Sequence, residues 1–216
     1  MKRLKYSIEY DKPQKYLVEG AQTQFIFSNE ELQSVKREIG ELKTDKDLFN
    51  IINFIYGNKI KPKTKFENGA KFNRTAKEIF ASREYTGCSD YAIVFSAVAK
   101  QLNIPTVCIA TANLDWIEEV ENGNTTGVVR GHDTCECFIN DKWVHVDVAN
   151  RYIDGIYDKD SLIVKYGNEK KRKVFWKGVD FFEMKKRSTE KRVDLMRRLV
   201  LEDRKPKPIK KPEIKV

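Results

Sequence analysis

The chain is poor in the residues that bind metals or form disulfides. Its 216 residues include two histidines, His132 and His145, and four cysteines, Cys88, Cys108, Cys135 and Cys137. Four thiols are too few for a disulfide framework in a chain of this length, and a reducing compartment would keep them free. A structural zinc site needs about four convergent N or S ligands, usually in closely spaced pairs. Cys135 and Cys137 could supply two, but no C-x-x-C or H-x3-H pair exists to complete the set, so no metal and no cofactor are expected. Long apolar runs are missing too: nothing approaches the ~18 residues of a membrane span. The amino end, "MKRLKYSIEYDKPQ", is charged at once and has no apolar signal region. A cytoplasmic location follows as the expectation, with no membrane partner.

What is present suits a folded unit. With 40% hydrophobic residues spread along most of the length, the chain can bury one good core and a small appendage. The net charge of +9 is unevenly placed: "RKPKPIKKPEIKV" from Arg204 to Val216 holds six basic residues against one acid. Such a Lys/Pro run is expected to be a solvated, disordered end. It offers weak attraction for polyanions without a specific site.

Periodicity and punctuation set the organisation. "SNEELQSVKREIGELK" opens on a cap signal and runs helically, and "DKDLFNIINFIYGNKI" places Leu48, Ile51, Ile52 and Ile55 at helical spacing. "NRTAKEIFASRE" predicts a third helix. "GCSDYAIVFSAVAKQLN" then carries Tyr91, Phe95, Val98 and Leu102 on one broad apolar stripe, widened by Ala92, Val94 and Ala99, as a central buried helix requires. Cys88 lies at its amino end, and Asp90 in the first turn complements the helix dipole. Pro105 stops that helix, and "TVCIATA" predicts a strand with Cys108 as a small core thiol. Further on, "VFWKGVDFFEMKK" is strand-like in part, and "STEKRVDLMRRLVLED" predicts an amphipathic helix that packs across the core.

"DTCECFI" and "KWVHVDV" are two period-2 segments around Asn140-Asp141, which predicts a hairpin. With an even loop, opposed positions have opposite parity. One face then carries Cys135, Cys137 and Ile139 with Val144, Val146 and Val148, and belongs in a core. The other carries His132, Thr134, Glu136 and Phe138 with Trp143, His145 and Asp147, and holds all the acid-base chemistry. Both reactive-looking cysteines thus point away from both histidines.

Nucleophilic chemistry needs a thiol, an imidazole touching it and a group that orients the imidazole. His132 and Asp147 can meet as cross-strand or diagonal neighbours. Cys88 alone among the cysteines sits at a helix amino end, where unpaired N–H groups favour a thiolate and can hold an oxyanion. By composition alone a core thiol is the favoured reading of Cys88. His145, two residues before Asp147, is read as structural or pocket-lining, and Trp143 as packing. Glu136 could bind substrate or form a salt bridge.

The segment "GCSDYAIVFSAVAKQLNIPTVCIA", followed by His132 with Trp143 eleven and Asp147 fifteen residues later, resembles the transglutaminase-like core shared by papain-type thiol enzymes. The resemblance spans about residues 70 to 150. It implies an α+β fold in which a nucleophile-bearing helix packs on an antiparallel sheet, with Cys88 as nucleophile, His132 as general acid and base, and Asp147 as the residue that orients the imidazole. Thr134 and Val148 depart from the family pattern, which has an aromatic and a proline there, and Thr134 puts the pocket wall beside His132 in doubt. The implied activity is thiol acyl transfer at amide carbonyls of a protein or peptide, as a cysteine protease, amidase or transglutaminase. The named residues are the same in all three, and compactness favours hydrolysis. The rival expectations are a catalytically idle peptide-binding member and a polyanion binder acting through the basic tail. The expected organisation is an N-terminal extension with a helix over residues 1–44, a transglutaminase-like core with flanking helices over 45–203, and the basic tail over 204–216.

Overall fold

The computed structural model describes residues 8–18, 20, 23, 27–57, 61–62, 73–124, 131–166, 170–181 and 189–203. The basic tail and the end of the "VFWKGVDFFEMKK" segment lie outside the described residues. Helix α1 (Asn29–Ile39) starts on a capping box in which Ser28 and Glu31 satisfy each other's backbone N–H groups, and α2 (Leu48–Gly57) buries Leu48, Ile51, Ile52, Phe54 and Ile55. Strand β1 (Lys61–Pro62) and β2 (Glu84–Tyr85) form a short parallel pair that flanks α3 (Ala76–Ser82), itself capped by Thr75 and Glu78. Helix α4 (Cys88–Gln101) is buried along nearly its whole length, from Ser89 to Lys100.

Six antiparallel strands follow. They are β3 (Thr106–Asn113), β4 (Gly131–Ile139), β5 (Lys142–Asp147), β6 (Tyr152–Asp154), β7 (Ile163–Tyr166) and β8 (Lys170–Gly178), in the order β6-β5-β4-β3-β8-β7. Helix α5 (Leu114–Glu121) leaves β3 directly, and α6 (Thr189–Asp203) closes the described chain. The fold is therefore mixed α and β, with helices set against an antiparallel sheet.

The hairpin register is the one that parity predicts: Cys135 pairs with Val146, Glu136 with His145, Cys137 with Val144 and Phe138 with Trp143. Asn140 and Asp141 have φ values of 50° and 57°, the left-handed pair that a two-residue hairpin loop requires. The Cys135/Cys137 face joins the main core. There it meets α4 residues Ala92, Phe95 and Val98, α2 residues Ile51 and Ile55, and Trp116 of α5. Cys135 donates its thiol hydrogen to the Ala92 carbonyl at 3.4 Å.

The opposite face is covered as well. Tyr16, Val107 and Trp143 form one buried cluster with Ile8 and Tyr10 from the amino-terminal segment, and Ile109, Val164 and Val174 form another against Tyr157. Trp143 donates Nε1–H to the Tyr10 carbonyl at 3.2 Å, with the Tyr10 ring edge-on at 5.3 Å. A register shift between Ala110 and Thr111 leaves Phe175 of β8 as an extra residue, since Ala110 opposes Trp176 and Thr111 opposes Val174. Among the described residues no helix is long and apolar enough to cross a membrane.

Candidate active site

Three chain segments converge at one end of the sheet. Gly87 caps α4, and Cys88 takes its first helical position, half-buried, where first-turn N–H groups lack intrahelical partners. The segment before it is tied to the helix by Asp90, whose Oδ2 accepts from the Thr86 N–H at 2.7 Å, Thr86 Oγ1 at 2.9 Å and Arg74 Nη1 at 3.1 Å. Asp90 thus fixes the approach to Cys88 as well as facing the helix dipole.

His132 stands at the start of β4, and its backbone carbonyl accepts from Thr111 Oγ1 at 2.9 Å. Its Nε2 lies 2.8 Å from Asp147 Oδ2, a diagonal contact across the hairpin, and the ring also hydrogen-bonds the Cys88 thiol. With Nε2 engaged by the carboxylate, Nδ1 is the nitrogen left for sulfur. The Asp133 backbone N–H donates to Cys88 Sγ at 3.4 Å. Burial alone would lower the imidazole pKa, yet the bonds to Asp147 and Cys88 carry it up to about 10. Burial would likewise raise the Asp147 pKa. The bond from His132 and two from Asn150 hold it below the ordinary carboxylate value instead. Cys88, His132 and Asp147, singled out in the sequence from positions 59 residues apart, are therefore brought into one chain of contacts.

Sequence reasoning missed Asn150. Its N–H donates to Asp147 Oδ1 at 3.1 Å and its Nδ2 to Asp147 Oδ2 at 2.7 Å, and Nδ2 lies 3.2 Å from His132 Nε2. The turn that presents it is held from outside, where Tyr56 donates its hydroxyl to the Ala149 carbonyl at 3.0 Å. An Asp followed three residues later by Asn is a turn signal that was legible in "DVAN".

The other candidates on this face fall elsewhere. His145 is fully buried, its Nε2 lies 3.0 Å from Thr134 Oγ1, and burial lowers its pKa to about 4. Thr134, the departure beside His132, is fully buried and turned to His145. Glu136 is resolved as an ion-pair residue: buried Lys177 bonds its Oε1, Tyr157 donates to the same oxygen, and Tyr10 donates to Oε2 at 2.9 Å. The His132 end of the face carries the contact to the thiol, whereas Thr134, Glu136, Trp143 and His145 are interior. Tyr85, three residues before Cys88, packs on Tyr91 with ring centroids 4.3 Å apart.

The remaining cysteines are inert by environment. Cys108, Cys135 and Cys137 are completely buried. Burial pushes the Cys135 thiol pKa well up and that of Cys137 to about 12. Among the described residues no group of three or more His, Cys, Asp or Glu side chains is placed to hold a metal ion.

No protein-family model matches the chain, and no curated protein matches it in sequence. A solved structure is similar in fold: a crystal structure from Cytophaga hutchinsonii, provisionally described as a cysteine protease. It has a TM-score of 0.52 and 16% sequence identity, and the match covers 78% of this chain. The match spans 47% of that protein, less than half its length.

Proposed function

We propose that this chain is a thiol acyl-transfer enzyme with a papain-like, transglutaminase-like core, in which Cys88 is the nucleophile, His132 the general acid and base, and Asp147 the residue that orients the imidazole. The observation that carries the reading is the continuous contact from the Cys88 thiol through His132 to Asp147, beside three other cysteines that are sealed in the core. The distant fold likeness to a protein provisionally described as a cysteine protease supports the same reaction class.

The chemistry follows from the contacts. His132 takes the thiol proton, giving a thiolate beside an imidazolium whose Nε2–H is held by Asp147. The sulfur attacks the carbonyl carbon of an amide, and the charge moves to the carbonyl oxygen, for which the Cys88 backbone N–H at the open end of α4 is the available donor. Collapse breaks the C–N bond as His132 gives its proton to the leaving amine, and a thioester remains. Water then enters with His132 as base, its oxygen bonds the acyl carbon, and the sulfur leaves. A primary amine in place of water would give transamidation instead. The substrate class is a protein or peptide amide, and hydrolysis is favoured, in keeping with the protease-like fold.

Reaction with iodoacetamide, located by mass spectrometry, tests the core of the reading without a known substrate. At pH 7 Cys88 should react at least tenfold faster than the sealed Cys108, Cys135 and Cys137, and H132A should slow Cys88 itself by about tenfold. Equal rates, or an advantage indifferent to H132A, would reject it.

A further inference from the structure

Both members of the proposed catalytic pair are followed in the chain by residues that bond each other. Ser89, next to Cys88, donates Oγ–H to the Asp133 carboxylate, and Asp133 is next to His132. The same carboxylate oxygen accepts from Arg192 Nη1 of α6 at 2.7 Å. This ion pair is sealed, with 7% of the Arg192 side chain and 3% of Asp133 accessible, and the guanidinium lies over the Phe181 ring at 5.0 Å. Asp133 also reaches the nucleophile, since its backbone N–H bonds Cys88 Sγ. One residue thus bonds the sulfur through its backbone N–H and carries a buried carboxylate on its own side chain.

A buried carboxylate so near a forming thiolate opposes it unless a cation compensates. The other charges around the sulfur are accounted for. Asp147 from β5 lies behind His132, and Asp90 on α4 is paired with Arg74. From α6 the facing group is Arg192. We propose that Arg192 is a positioning residue for this site: its buried cation neutralises Asp133, so that the Asp133 N–H can support the Cys88 thiolate without repulsion from the carboxylate of the same residue. The proposal rests on the thiol-enzyme reading above and extends the machinery from two segments of the sheet to the last helix. A purely mechanical role, pinning α6 to the first turn of α4, would be satisfied by the same contacts, and charge is what separates the two.

The decisive measurement is the iodoacetamide rate at Cys88 from pH 4 to 10 in the full chain. R192M should move the pH at which the rate rises upward by about one unit, and D133N should move it downward by about one unit, as expected for a unit charge at close range in a partly buried site. The double variant D133N/R192M should return it to within a few tenths of the original. Shifts of one sign in both single variants, or no shift in either, would overturn the proposal, because a mechanical tie has no reason to respond to charge in opposite directions. Should R192M fail to fold, D133N decides: a rise at unchanged or higher pH overturns it. Loss of His132-dependent reactivity in the unaltered protein rejects the thiol-enzyme reading itself. Retained His132-dependent reactivity with a rise indifferent to both variants rejects only the role of Arg192.

Discussion

The two histidines lie on one face of one hairpin, yet their surroundings drive them apart, and this can be measured one resonance each because untagged protein has no others. From an ordinary value of 6.5, His132 is carried to about 10 and His145 falls to about 4. His145 has only the Thr134 hydroxyl at 3.0 Å and a fully buried position, so a proton there finds no counter-charge in contact. Stability follows with opposite signs. The raised His132 contributes stability that is fully present below about 6.5 and is lost as pH rises through about 10. The depressed His145 costs nothing above about 6.5 and destabilises as pH falls toward 4, because the unfolded chain binds the proton first. A shift from 6.5 to about 4, at about 1.4 kcal/mol per unit, makes this loss about 3 kcal/mol. Imidazole NMR should therefore show one midpoint near 10 and one near 4. D147N should lower the first by about one to three units and also lower the second, by less, since Asp147 touches His132 but acts on His145 only through space. Between pH 7 and 4.5, urea denaturation of H145Q should lose about 2–3 kcal/mol less than the unaltered protein. Two midpoints within a unit of 6.5 would refute the assignment of both environments.

Two further outcomes follow from the contacts. K177M leaves Glu136 fully buried with only tyrosine donors. It should cost about 3–5 kcal/mol in urea denaturation, with E136Q/K177M recovering at least half of the loss; a cost under about 1 kcal/mol would show the pair to be dispensable. N150A removes Nδ2 from Asp147 while keeping the backbone bond to Oδ1. A hydrogen bond to a carboxylate is worth about 1.5–3 kcal/mol, so Cys88 alkylation at pH 7 should fall roughly tenfold, and an unchanged rate would remove Asn150 from the site.

The parts of the site that the sequence exposed were those written in local periodicity. The stripe on α4 put Cys88 at a helix end, and alternation in the hairpin put His132 and Asp147 on one side and the inert Cys135 and Cys137 on the other. Burial of that second side was not legible, because its cover comes from Tyr10, Tyr16, Tyr157 and Lys177, which lie far away in the chain and carry no pairing signal. Sequence alone leaves His145 either structural or pocket-lining and Glu136 either substrate-binding or ion-paired, whereas both are interior. Arg192 was hidden for the same reason: on an amphipathic helix an arginine reads as solvent-facing, and only the tertiary approach of Asp133 makes it internal. Helix α5 was overlooked because its eight residues follow β3 without a break.

The extra residue on β8 gives that strand a meaning of its own. Phe175 lets Val174 share a side of the sheet with Thr111 and His132 while Lys177 still addresses Glu136 on that same side. Paired without that shift, the same residues would turn one half of the strand inside out, exchanging Lys177 for Trp176 or Val174 for Lys173. The register shift is thus as much a part of the strand's message as its composition. Deleting Phe175 should keep Lys177 and Val174 on their present sides and cost chiefly the buried ring.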